Sequence, residues 1–326
     1  MIRQARAALL AVGLAAWAGF SACAPPKAAD PVDRFTIAVT DSGLGGLAVM
    51  AEAAARLEKA GIHKDVELVF FNALFAEEGG YNSLQTREEK IKTFDAALRG
   101  LEKAVQPDLI LVACNTLSVL LPDTPFARET HITVQGIVGS GVDLFWKALV
   151  ENPEAKLILF GTETTIAEDS HRKALVEAGI PADRIIAQAC PELQAYIETD
   201  WRDGDTGLLI SAYVDEATAG LPQPAPLLLA GLVCTHYGYA ADLWAGAFAE
   251  KGFTGVKILD PNGEMADWLI PKSAERRYEK TAISARVLSK VAIPSAKRES
   301  LAAWLERVSP AVAAALRSAE INPSLF

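Results

Sequence analysis

Two stretches of this chain set a thiol at the end of an apolar run and follow it with small hydrogen-bonding residues. The first is Leu109-Ile-Leu-Val-Ala-Cys114-Asn115-Thr116; the second runs from Leu227 through Val233 into Cys234-Thr235-His236-Tyr237. A thiol whose pKa lies near 8.5, and is lowered by suitable neighbours, can act as a nucleophile or carry a proton. The apolar runs read as buried strands of parallel sheets. Ligands of open α/β sheets bind outside the carboxyl ends of strands, which is where both thiols fall. Free cysteines are among the most buried residue types, so each taken alone has an equally good reading as a core residue. Two in matching contexts point instead to one site built from two halves. Asp41-Ser42-Gly-Leu-Gly-Gly46 closes a third apolar segment. Its glycines allow backbone N–H groups to approach an anionic ligand such as a carboxylate. Phosphate is not the expected ligand, because neither a G-x-G-x-x-G nor a Walker pattern is present.

These residues need strands to carry them. Phe35–Asp41 reads as a strand leading into the glycine-rich turn, and Leu47–Ala60 has the apolar spacing of a helix. Glu67–Asn72 is the next strand, followed by a polar loop over Asn72–Asn82 that carries Tyr81, then a helix over Leu84–Val105. A short strand over Thr133–Ile137 follows the Cys114 strand. A second βα alternation starts near Lys156, with Arg184–Ala189 as a strand leading into Cys190-Pro191 and a helix bearing Glu198. Ser211–Ala219 reads as a helix, Pro222–Pro226 as a connection, Val256–Asp260 as a strand and Asn262–Leu269 as a helix. After about residue 280 the pattern reduces to Ala-rich helices broken at Pro294 and Pro310. This alternation predicts an α/β protein of two lobes, each a parallel sheet with helices on both faces, meeting at one cleft.

The chain has 326 residues, 51% hydrophobic and 22% charged, which suits a well-buried globular protein of two domains. Its formal charge is −10 and it has no lysine- or arginine-rich run, so a nucleic-acid partner is not expected. Residues 1–22 have the form of an export signal: Arg3 and Arg6 precede an apolar Ala7–Ala18 stretch too short to span a bilayer comfortably. Phe20-Ser21-Ala22-Cys23 resembles a bacterial lipobox, which implies cleavage before Cys23 and lipidation of its thiol. Residues 23–34 are then a tether to the folded body. That resemblance implies a protein of the cell envelope, lipid-anchored and facing the periplasm or extracytoplasmic side. A plain secretory signal or a membrane-held N-terminus remains the alternative.

Asp41-Ser-Gly-Leu-Gly-Gly46, Ala113-Cys-Asn-Thr116 and Cys234-Thr-His-Tyr237 together resemble the signature of glutamate racemases in the aspartate/glutamate racemase superfamily. Gly161-Thr-Glu-Thr-Thr-Ile166 and Ala189-Cys-Pro191 through Glu198 are similar to the family's central blocks, so the resemblance covers about residues 35–270. It implies two pseudo-symmetric α/β lobes with the active-site cleft between them. Residues 35–138 plus 257–326 would form the first lobe with its C-terminal helices, and 139–256 the second. It also implies a racemase that needs no cofactor and no metal, and a small amino acid as substrate. Whether the chain is a homodimer stays open.

Inverting an α-carbon requires one base to remove a proton from one face and one acid to deliver a proton to the other. The resemblance assigns those parts to Cys114 and Cys234, with Asp41 and His236 assisting them respectively and Glu198 as a further acidic helper. Ser42, Asn115, Thr116 and Thr235 match residues that hold the substrate's carboxylate and ammonium, and Asp41 and His236 border the same site. For Ser42, Asn115 and Thr116, helix or turn capping is the competing reading. The family's Gly-Asp-Thr segment appears here as Asn72-Ala73-Leu74, and its Pro-Tyr-Gly triplet is replaced by Gly80-Tyr81-Asn82 in a longer loop. Tyr81 and Asn82 are therefore the expected contacts to the substrate side chain, with Ser83 or Arg87 as further donors. Cys190 is expected to be structural. The leading expectation is a racemase of glutamate or aspartate. The alternatives are a racemase of another amino acid and a lipid-anchored amino-acid binding protein without turnover.

Overall fold

A computed structural model describes residues 34–221 and 227–326. The expected signal segment, the Cys23 lipidation site, residues 23–33 of the tether and the Pro222–Pro226 connection lie outside the described residues. In chain order the strands are β1 (Arg34–Asp41), β2 (Asp65–Asn72), β3 (Leu109–Val112), β4 (Thr133–Gly136) and β5 (Lys156–Gly161). They continue with β6 (Ile185–Ala189), β7 (Leu228–Val233), β8 (Lys257–Leu259), β9 (Ala282–Ser289) and β10 (Glu320–Ile321). They build two sheets, ordered β10-β9-β2-β1-β3-β4 and β6-β5-β7-β8. Every described strand pair is parallel.

The order β2-β1-β3-β4 in the first sheet is repeated as β6-β5-β7-β8 in the second. In each, the first strand is flanked on one side by the next strand in sequence and on the other by the one after it. The crevice at such a reversal of strand order opens at the carboxyl ends. Asp41 therefore ends β1 and Cys114 follows β3 in one lobe, as Thr162 and Cys234 follow β5 and β7 in the other. Both cysteine-bearing strands are buried along their whole length, as parallel strands covered on both faces must be.

Local signals explain the element ends. The helix Leu47–Ala60 buries its Leu and Ala face and stops at Gly61, which adopts a left-handed φ of 62°. A Cβ at Gly61 would also lie 2.2 Å from the Tyr278 carbonyl oxygen, so only glycine fits there. The helix Arg87–Val105 starts later than the expected Leu84 because Thr86 and Glu89 form a reciprocal capping box.

Three expectations need correction. Residues 282–289 form strand β9, paired with β2 over its full length, where Ala-rich helix was expected. Ile283, Ala285 and Val287 alternate with Ser284 and Arg286, a period-2 signal obscured by two alanines and an exposed face. The helices that follow, Ser295–Leu305 and Pro310–Arg317, do begin at the two prolines. The helix expected at Ser211 begins at Gly204, its first turns disguised by Gly204 and Gly207. Finally, β8 pairs with β7, so the return to the first lobe follows Leu259 and not residue 257.

That return passes through Asp260, which caps the helix Pro261–Trp268 by accepting from the Asn262 N–H at 3.0 Å. Burial, with the charge of Glu52 as a further contribution, pushes its carboxyl up to about 7. A carboxyl raised on folding contributes stability that is complete below its unfolded pKa of about 4 and is lost as pH rises through 7. Asp260→Asn keeps the capping oxygen and stays neutral, at the cost of the bond that Asp260 Oδ2 accepts from Asn262 Nδ2 at 3.3 Å, a cost that is the same at every pH. Relative to the native chain, the variant should be more stable at pH 8 than at pH 4 by on the order of 3 kcal/mol, or about 6 °C or more in Tm. Thermal melts at the two pH values check this, and an equal change at both would contradict it.

Candidate active site

The first half of the site is built on the ends of β1 and β3. Ser42 Oγ lies 3.1 Å from Cys114 Sγ and donates to Asp41 Oδ1 at 3.4 Å. With the serine proton so used, the hydrogen between Ser42 and Cys114 belongs to the thiol. Burial pushes the Cys114 thiol well up, the charge of Asp41 adds to this, and the Ser42 hydroxyl and the Ser42 and Leu117 N–H groups partly oppose it. At rest Cys114 is a neutral thiol with proton acceptors beside it.

The second half has the opposite electrostatics. Cys234 Sγ lies 3.6 Å from His236 Nδ1, and His236 Nε2 lies 2.8 Å from Glu198 Oε1. Burial by itself would lower the imidazole, but hydrogen bonds and charge from Cys234 and Glu198 outweigh it and raise His236 well above its ordinary value. Burial likewise opposes ionisation of Glu198, yet His236, Lys297 and the Leu44 N–H hold its carboxyl down to about 2. Glu198 Oε2 accepts from Lys297 Nζ at 3.0 Å. Cation, carboxylate, imidazolium and sulfur thus form one line.

The lobes interlock at this point. Asp41 Oδ2 accepts from Thr235 Oγ1 at 2.7 Å, and the Leu44 N–H donates to Glu198 Oε1 at 3.0 Å. The glycine-rich turn was expected to present N–H groups to an anion. The anion it meets is the chain's own Glu198. A Cβ at Gly45 would lie 2.3 Å from Thr235 Oγ1, and one at Gly43 would lie 2.8 Å from Glu198 Oε1, so these glycines let the second lobe close onto the first.

A cleft of about 510 Å3 opens between the lobes, lined by Asp41, Ser42, Cys114, Asn115 and Thr116 on one side and Glu198, Cys234, Thr235 and His236 on the other. Tyr81 and Asn82 close its wall. Among the described residues, every one expected to carry the chemistry or hold the substrate borders one space, except the further donors Ser83 and Arg87. The capping reading does not hold for these side chains: Thr116 Oγ1 lies 2.9 Å from Thr162 Oγ1 and 3.2 Å from Thr165 Oγ1, bridging the lobes. The Asn115 amide, buried, has no partner on either its oxygen or its nitrogen, and neither has the Tyr81 hydroxyl. Unpaired buried polar groups are costly unless a ligand or water completes them. Facing a cleft, they are ready donors and acceptors for a small polar molecule.

Three expectations shift. Arg87 is committed to Asp123 at 2.7 Å and Glu168 at 2.9 Å and does not line the cleft. Asn82 uses its Oδ1 to accept from Thr164 at 2.8 Å, which ties the long loop to the second lobe. Ser83 donates to the Gly80 carbonyl at 2.7 Å. Cys190 is fully buried outside the cleft, in keeping with a structural part. Lys297 and Thr162 were not singled out from sequence. Thr162 was legible, since it follows β5 as Cys234 follows β7. Lys297 was not, because it arrives from a helix far along the chain with no motif around it. Among the described residues, Lys297 is the one Lys or Arg lining the cleft, and no group of three His, Cys, Asp or Glu side chains is arranged to hold a metal.

No protein-family model matches the chain. It is 28% identical to the glutamate racemase of Aquifex pyrophilus over 202 residues, covering 62% of this chain and 70% of that one. Its fold matches a glutamate racemase isoform from Bacillus anthracis with a TM-score of 0.62 at 23% identity, over 84% of this chain and 95% of that one. It also matches the glutamate racemase of Francisella tularensis, a complex with D-glutamate, with a TM-score of 0.60 at 18% identity, over 85% of this chain and 96% of that one.

Proposed function

We propose that this chain, one of the aspartate/glutamate racemase superfamily, is an amino-acid racemase that exchanges the α-proton of glutamate or aspartate between Cys114 and Cys234 without a cofactor. The observation that carries this reading is the opposed wiring of two buried thiols across one cleft. Cys234, beside a protonated His236, is the base: its sulfur removes the α-proton from one face. Cys114, held as a thiol beside Ser42, is the acid and delivers its proton to the other face. Afterwards Cys114 is the thiolate, stabilised by the Ser42 and Leu117 N–H groups, and Cys234 is the thiol. The reverse reaction runs the same steps backward.

The carbanion between the two transfers needs its charge drawn into the α-carboxylate. Asn115, Thr116, Ser42 and Thr235 supply uncharged hydrogen-bonding groups for that carboxylate, and Asp41 supplies the negative charge for the ammonium. The test is incubation in deuterated water with a panel of amino acids. Solvent deuterium entering Cα, with decay of circular dichroism to zero, is the expected result for an acidic substrate. Absence of exchange with every amino acid would reject the enzyme reading.

Tyr81 bears on which amino acid is used. Its hydroxyl is buried, unpaired and close to Cys114, so it suits a substrate carboxylate that is otherwise short of donors. Tyr81→Phe is expected to raise KM for an acidic amino acid about fivefold to tenfold and to leave neutral ones nearly unchanged. Arg87→Ala should leave KM unaltered, since its guanidinium is already paired. Steady-state kinetics on both substrate types check this. Equal effects of Tyr81→Phe on both would point away from an acidic substrate.

A further inference from the structure

The Glu198–His236–Cys234 line does not end at Glu198. Its outer carboxylate oxygen is held by Lys297, from the helix Ser295–Leu305, at 3.0 Å. Three features make this contact more than a surface ion pair. Glu198 and Lys297 are separated by 99 positions in sequence, so the pair exists only when the C-terminal helices are docked. The carboxylate is nearly buried, with 12% of its side chain exposed, and the lysine side chain is 32% exposed. A buried carboxylate that loses one partner keeps its desolvation cost, so the pair is not interchangeable with water. The same helix also supports the wall of the site elsewhere: Trp201 Nε1 donates to the Ser300 carbonyl at 3.2 Å, closing the end of the segment that carries Glu198.

We propose that Lys297 is a positioning residue for the proton relay, clamping Glu198 so that its other oxygen stays on His236 and supplying the cation that keeps the relay charged. The role rests on the racemase reading for its purpose but not for its physics. Glu198 has two oxygens and three partners: Oε1 meets His236 and the Leu44 N–H, and Oε2 meets Lys297. Without Lys297, Oε2 faces the cleft unpaired and the carboxylate is free to rotate away from the imidazole. The line would also lose a cation that helps hold Glu198 ionised. Removing a cation makes every nearby acid harder to ionise, so proton loss across the relay moves to higher pH. The other ionisable groups facing it are Asp41, Cys114, Cys190, Tyr237 and Tyr239. Burial holds the thiols of Cys114 and Cys190 and both phenols neutral at working pH.

The experiment is the pH dependence of Cys234 alkylation by iodoacetamide, read by peptide mapping in the full-length protein, for wild type, Lys297→Met and Lys297→Arg. In Lys297→Met the alkylation midpoint is expected to rise by about 0.5 to 1 pH unit, which lowers the rate at neutral pH about threefold to tenfold. Racemisation should lose a similar factor in kcat with KM little changed, and Lys297→Arg should restore both. An unmoved midpoint in Lys297→Met, or failure of Lys297→Arg to restore it, overturns the proposal. A rise in KM alone with normal alkylation also overturns it, since that would mark Lys297 as a substrate contact. If Lys297→Met is unfolded by circular dichroism, Lys297→Gln is used in its place. If no amino acid is racemised yet the midpoint shifts and is restored, the racemase reading falls while the role of Lys297 in the relay stands.

Discussion

Cys114→Ala and Cys234→Ala should each lower racemisation by about 10³-fold or more, because the proposed mechanism gives each thiol one of the two proton transfers. The two thiols are joined by their protonation states, so the double variant should lose little beyond either single one. Enantiomers have equal free energy in water, so kcat/KM must be the same in both directions in every variant. An apparent loss in one direction alone would therefore signal an assay artefact or a competing reaction. The fold should survive: each cysteine is buried but borders the cleft, so the removed sulfur leaves space that solvent can enter. Circular dichroism of the protein and decay of substrate ellipticity measure the two properties separately. More than about a tenth of wild-type activity in either single variant would end the two-thiol mechanism.

Replacing His236 with asparagine should cost about 10²-fold at pH 7. His236 is raised well above its ordinary value by Cys234 and Glu198, so in the native protein it stays charged through neutral pH. Asparagine keeps a donor near the sulfur but cannot carry the charge that favours a thiolate. The acid limb of kcat/KM should therefore move to higher pH, and part of the lost activity should return by pH 9. Glu198→Gln removes an anion instead of a cation, which makes proton loss from the Cys234–His236 pair easier, so its acid limb should move the opposite way, to lower pH. Steady-state rates between pH 6 and 10 separate this from a packing effect: a uniform loss at all pH values would mean His236 only shapes the cleft.

Much of this molecule was open to a reader of the sequence. The two Cys-bearing strands announce themselves because a parallel strand buried on both faces must be apolar along its length, and polarity then resumes where the chain leaves the sheet. That Asp41, Ser42 and the two thiols share one crevice follows from the strand-end rule applied to both lobes, while Asn115, Thr116, Thr235 and His236 join them through the resemblance to glutamate racemases. What period and composition could not reveal was strand β9, since Ala-Ile-Ser-Ala-Arg-Val is half exposed and three of its residues favour helix.

Tertiary structure decided the rest, for one physical reason: partners chosen across long sequence separations leave no local trace. Nothing near Arg87 says that its guanidinium is spent on Asp123 and Glu168. The glycines at 43 and 45 read as a cradle for a ligand, yet the space they leave is taken by Glu198 and Thr235 from the other lobe. Lys297 sits in an ordinary helical stretch, and only docking of that helix brings its ammonium to Glu198. The sequence alone sets which side chains are of a type able to carry a proton; the packing of one lobe on the other sets which thiol is held neutral and which faces an imidazolium. Burial beside Asp41 raises one thiol, and a buried cation–carboxylate pair sets the charge beside the other.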